Sequence, residues 1–110
     1  MTPEQKQRLE NKSSLNRPVT FKNKRGCGSR VMGTIVDEVS ILVGDYKHLI
    51  QKVEFSSGIS WDESRYAYRT GYYTWDAGYK RLTWGQYTQF LTEKEYKQLL
   101  SLARAKQWDI

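Results

Sequence analysis

The sequence predicts a mainly β domain with one C-terminal helix, built as a small barrel or strongly bent antiparallel sheet and preceded by a flexible basic arm. Three observations carry this expectation. Apolar residues in the middle of the chain recur at every second position, the period of a half-buried strand. All eight glycines lie between residues 26 and 85, where strands need turns. Residues 86–110 lack both glycine and proline and hold an apolar stripe at helical spacing. A chain of 110 residues is long enough for one domain with a modest core. The expected division is an arm over 1–25, with a possible short helix at 3–11, and a β domain over 26–110 whose helix covers 92–107.

The arm opens with Thr2-Pro3-Glu4-Gln5, a capping box with proline at the first helical position. A helix started there contains Leu9 as its only apolar residue. Helices this short are marginal in water without a packing partner. The expectation is therefore a frayed helix held apart from the sheet, then an extended segment through Arg17-Pro18.

In the next segment Val31, Gly33, Ile35, Val39, Ile41 and Val43 take odd positions, with Asp37-Glu38 a predicted interruption. Gly44-Asp45-Tyr46-Lys47 reads as a turn. A second strand places Leu49, Val53 and Phe55 on one side, with Lys52 and Glu54 on the other, and Ser56-Ser57-Gly58 ends it. A third strand covers about residues 65–75. Asp76-Ala77-Gly78 reads as a tight hairpin into a fourth strand over 79–84, and residues 86–90 fit a short fifth. Thr92 with Glu95 repeats the capping box, and Tyr96, Leu99, Leu100 and Ala103 form the stripe expected to cover the sheet.

Charge gives the first indication of function. Residues 1–30 carry eight Lys or Arg against two Glu, whereas residues 31–110 carry ten of each sign, so the excess of +6 sits in the first 30 residues. A basic stretch on a neutral body is suited to a polyphosphate. Lys12, Arg17, Lys22, Lys24, Arg25 and Arg30 are the expected phosphate contacts. A solubilising terminus is the plainer explanation of the same charges. Ten of the fifteen aromatic residues lie between Trp61 and Phe90. In the third strand alternation puts Tyr66, Tyr68 and Tyr72 on one face and Arg65, Arg69, Tyr73 and Trp75 on the other. The tyrosine trio is assigned to the core. The second face, extended by Lys80 and Arg81, is assigned to stacking on unpaired bases and to phosphate contact.

Lys24-Arg25-Gly26-Cys27-Gly28-Ser29-Arg30-Val31-Met32-Gly33-Thr34-Ile35-Val36 resembles the opening of small Src-homology-3-like barrels of the KOW and Tudor branches, in which a basic glycine turn leads into the first strand. The resemblance implies a small barrel that binds nucleic acid or ribosomal and transcription machinery. Other barrels of that class are docking subunits.

Signals for catalysis are sparse. His48 is the only histidine and Cys27 the only cysteine, so neither a disulfide nor a metal set at recognisable spacing is implied, and no cofactor is called for. A lone histidine at a strand is expected to be structural. The first residues hold no apolar stretch, which with the single cysteine points to a cytoplasmic protein outside the membrane. The expected function is nucleic-acid binding, to DNA or RNA, as a non-enzymatic accessory protein of a nucleoprotein assembly that supplies a protein partner. The alternatives are a protein-docking subunit and a metal-free ribonuclease acting through Arg65, Arg69, Lys80, Arg81 and Tyr87.

Overall fold

The computed structural model describes residues 1–22, 30–56, 65–85 and 89–110. In chain order the elements are α1 (Pro3–Asn11), β1 (Pro18–Lys22), β2 (Arg30–Val43), β3 (Tyr46–Phe55), β4 (Tyr66–Asp76), β5 (Arg81–Gly85) and α2 (Glu93–Ala105). The five strands form one antiparallel sheet in the order β1-β2-β3-β4-β5, so the protein is mainly β with a C-terminal helix. Each strand pairs with its sequence neighbour, and β1 and β5 are the edges. β1 registers Pro18 against Thr34 and Lys22 against Arg30. β2 runs without a break through Asp37-Glu38, where an interruption was predicted. Only Gly44-Asp45 separate β2 from β3, and Gly44 has φ +57°, a conformation that two-residue hairpins assign to glycine. The β4–β5 turn is longer than the predicted three-residue corner. It spans residues 77–80, and β5 begins at Arg81 rather than at residue 79. Asp76 Oδ1 shapes it by accepting from the N–H of Gly78 at 2.9 Å and of Tyr79 at 3.2 Å.

The chain makes two compact units, one of Met1–Ser13, Val39–Ile50 and Thr70–Ile110, the other of Ser14–Glu38 and Gln51–Arg69. In the first, α2 starts at its predicted capping box, with Thr92 and Glu95 bonded reciprocally. Leu99 and Ala103 pack with Val39, Ile41 and Ile50, and Leu100 lies half-buried against them. Tyr96, expected in the stripe, is instead 52% exposed. Its place in the core is taken by Trp108. Gln107 has φ +64°, its N–H donates to Arg104 O at 2.8 Å and the Trp108 N–H donates to Ala103 O at 3.2 Å. This is the Schellman ending, in which the chain folds back over the last helical turn. It brings the Trp108 ring into the cluster of Leu99 and Ala103.

The second cluster of this unit overturns the expected detachment of the N-terminal helix. Leu9 is fully buried, 0% exposed, against Leu49 and Tyr73, with Leu82 and Trp84 beside them. Lys47 adds a polar anchor. Its buried ammonium donates to Glu10 O at 2.8 Å and to Lys12 O at 2.6 Å. Those carbonyls end α1 and have no partner within the helix, and the positive charge suits the negative end of the helix dipole. Residues 47–51 are all buried, so the two-residue alternation fails in this stretch of β3.

Two glycines in the β4–β5 ladder are seats for rings. A Cβ on Gly71 would lie 2.3 Å from the Trp84 ring, and one on Gly85 would lie 2.3 Å from the Tyr72 ring. In the second unit the chain enters β1 through Asn16 at φ +66°, whose N–H donates to Ile35 O at 2.7 Å. The segment of 1–25 predicted to be extended thus becomes an edge strand on β2.

Candidate functional site

The two faces of β4 are the reverse of those predicted. Tyr73 is 6% exposed in the cluster of Leu9 and Leu49, and Trp75 is half-buried opposite Leu82. Tyr66 and Tyr68 are the exposed pair, at 40% and 38%. Both faces carry aromatic rings, so alternation alone was unable to choose between them. The choice is made by Leu9 and Leu49, whose apolar surface is satisfied by Tyr73, Leu82 and Trp84. Tyr73 is therefore a core residue and offers no stacking face.

Arg69 remains only half-buried, and its guanidinium is held by Gln51 Oε1, with Nε at 2.9 Å and the terminal nitrogen at 2.7 Å. Gln51 is fully buried and its amide reaches Glu38 at 3.4 Å, which also accepts from the Ser14 N–H. Arg69 thus braces a polar chain inside the second unit. Arg65 is exposed, 3.6 Å from Glu54 and 5.7 Å from the Tyr66 ring centroid. Across the ladder Lys52 Nζ sits 4.4 Å from the same centroid. Tyr66 therefore carries two cations against one exposed ring. The sequence marked Arg65 as a contact and put Lys52 only on the polar side of its strand, because Lys52 meets Tyr66 through the pairing of β3 with β4.

The other predicted contacts are spread through the fold. Lys12 caps α1 with its ammonium 5.4 Å from the Tyr73 ring centroid. Arg17 is exposed, and its carbonyl accepts from the Ile35 N–H. Lys22 and Arg30 are paired at the end of the β1–β2 ladder that residues 23–29 connect; their side chains lie outside the described set. Lys24, Arg25, Cys27 and Tyr87 also fall outside the described residues. Lys80 is exposed in the β4–β5 turn at φ +53°. Arg81 is exposed beside Tyr79, 5.2 Å from its ring centroid.

A separate feature of the first unit is an open cleft of about 260 Å³ lined by Tyr46, His48, Tyr72 and Phe90. Tyr46 and Tyr72 meet edge to face at 5.4 Å and 77°, while His48 lies 6.0 Å from each ring centroid. Gln89 Nε2 donates to Gly71 O at 2.8 Å and to His48 Nδ1 at 3.1 Å. An amide nitrogen can only donate, so Nδ1 accepts and the ring proton is on Nε2. Burial holds the imidazole below its ordinary value of 6.5, against the opposing pull of the Glu95 carboxylate. Hydrogen bonds from Thr92 keep Glu95 below the ordinary carboxylate range. His48 is thus held in place on β3 by the Gln89 amide.

A pH dependence follows. The unfolded chain takes up the His48 proton more readily than the folded one, so stability is complete above the ordinary pKa of 6.5 and is lost as pH falls toward the lower folded-state value. Denaturant midpoints measured from about pH 8 down to about pH 5 should decline for the wild type, and the decline should be shallower in His48→Gln. Equal slopes would remove His48 as the source.

Among the described residues no group of three His, Cys, Asp or Glu is placed to hold a metal ion, and no helix is long and apolar enough to cross a membrane. Comparison with protein-family models, with curated proteins and with solved structures finds no match for this chain.

Proposed function

We propose that the protein binds single-stranded nucleic acid, DNA or RNA, through the exposed ring of Tyr66 and the cations against it, as an accessory component of a cytoplasmic nucleoprotein assembly. The observation that carries this is the Tyr66 ring with Lys52 at 4.4 Å and Arg65 at 5.7 Å. An exposed ring stacks on an unpaired base when a cation lying over it swings aside, and the displaced cation is then placed to reach an adjacent phosphate. Tyr68, exposed on the same strand, offers a second ring. The Arg65–Glu54 pair does not oppose this, because an exposed ion pair is weak and exchanges readily for a phosphate. The net charge of +6 supplies the long-range attraction.

Fluorescence anisotropy with a labelled single-stranded oligonucleotide across a salt series tests the proposal. Tyr66→Ala should weaken binding by about 1–3 kcal/mol, the stacking contribution of one base. Lys52→Ala and Arg65→Ala should each flatten the slope of log affinity against log salt by roughly 0.7. Wild-type affinity in Tyr66→Ala, or no binding by the wild type, overturns it. Arg69→Ala should act on stability rather than on affinity, since its guanidinium is engaged by Gln51.

A further inference from the structure

The cleft of Tyr46, His48, Tyr72 and Phe90 has a chemistry distinct from that of the Tyr66 cluster. At about 260 Å³ it falls below the range of pockets for drug-sized molecules and suits a small group. Its walls do not form a slot for a flat base. Tyr46 and His48 are nearly parallel, at 25°, but their centroids are only 6.0 Å apart. A ring inserted between two others needs roughly 7 Å, two carbon–carbon contact distances. Tyr72 stands at 77° to Tyr46, so the rings make a corner. A corner fits a compact, rounded body.

The charge of that body follows from what surrounds the corner. Ring faces are electronegative and attract cations. His48 adds no positive charge, because its Nδ1 accepts from Gln89. Glu95, in the first turn of α2, is close enough to His48 to interact with it electrostatically, and its carboxylate is held in place by the Thr92 N–H at 2.9 Å. Glu95 is not among the residues lining the cleft, so its charge acts on an occupant through space, against phosphate and in favour of a cation. A primary ammonium would demand acceptors for its N–H groups, which rings supply poorly, whereas a quaternary ammonium has no N–H to satisfy. Phe90, 87% exposed and lining the cleft, offers a large apolar surface for contact with methyl groups.

We propose that this cleft binds a quaternary ammonium group, seated against Tyr46, Tyr72 and Phe90 with Glu95 as counter-charge. The test is titration of the full chain, followed by the NMR signals of these rings, with choline and with dimethylbutanol, its uncharged analogue in which carbon replaces nitrogen. Choline should bind at least about tenfold more tightly than the analogue. Phe90→Ala, a surface change, should weaken choline at least about fivefold. Glu95→Gln preserves the capping box, since Gln serves there as well as Glu, and should weaken choline while leaving the analogue unchanged. Nε-trimethyl-lysine and phosphatidylcholine vesicles, run beside choline, separate a modified side chain from a lipid headgroup as the source. Equal affinity for choline and its analogue, or no saturable shift of the ring signals, overturns the proposal. So does a mononucleotide that moves those signals when choline does not. Tyr66→Ala should leave choline binding intact.

Discussion

Leu9→Ala is expected to lower the free energy of unfolding by about 2–5 kcal/mol, the range for emptying a fully buried leucine site. The effect is large for a residue so near the chain start because Leu9 is the apolar contact of α1 in its cluster. Removing its side chain leaves a void against Leu49 and Tyr73. It also loosens the helix end whose carbonyls receive the buried Lys47 ammonium. Once α1 detaches, that ammonium loses both of its charge-assisted hydrogen bonds to the helix carbonyls. Arg8→Ala is the matched control. Its side chain is 63% exposed and its ion pair with Glu4 spans 3.9 Å, so its change should stay within about 0.5 kcal/mol. Chemical denaturation of the three proteins checks this. Near-wild-type stability in Leu9→Ala would mean that the helix is dispensable.

Trp108→Ala should cost about 3–5 kcal/mol, as expected for truncating a buried tryptophan. The ring is 5% exposed and lies in the same cluster as Leu99, Ala103, Val39, Ile41 and Ile50. It reaches that position only because Gln107 adopts a positive φ and the two backbone bonds of the Schellman ending turn the chain back. A loss below about 1 kcal/mol in Trp108→Ala would show that α2 is held by Leu99 and Ala103 alone.

The elements of this fold were largely legible because each is marked locally. The capping boxes at Thr2 and Thr92 start helices where they predict, and the odd-position apolar residues of 31–43 lie in one long strand. What was not legible depends on partners distant in sequence. Leu9 appears in the sequence as a lone apolar residue on a polar helix, and nothing nearby reveals Leu49 and Tyr73 as its neighbours. That docking also decides which face of β4 is buried, so missing it reversed the assignment of Tyr66 and Tyr73. Lys47 and Gln51 are polar residues at interior positions, held by α1 carbonyls and by Arg69. Alternation puts both on the side of Leu49 and Val53, but it records hydrophobicity and not hydrogen bonding, so it does not name the partners that let a polar group lie there. Of the candidate site, Arg65 was visible, whereas Lys52 and the cleft of Tyr46, His48, Tyr72 and Phe90 arise from strand pairing.

The seating of Trp84 on Gly71 has a consequence for how the sequence can vary. A methyl group at residue 71 would fall 2.3 Å from the indole and 2.7 Å from the backbone carbonyl of Gly85, so a smaller residue at 84 would not by itself make room for it, and 71 should stay glycine. The Gly85 seat differs. The three atoms nearest a methyl group there all belong to the Tyr72 side chain, so a side chain at 85 fits only where residue 72 has become smaller. Diverged copies of this protein should therefore keep glycine at 71 and change 85 only together with 72. A library randomised at 72 and 85 at once should recover folded members that a library randomised at 85 alone does not contain.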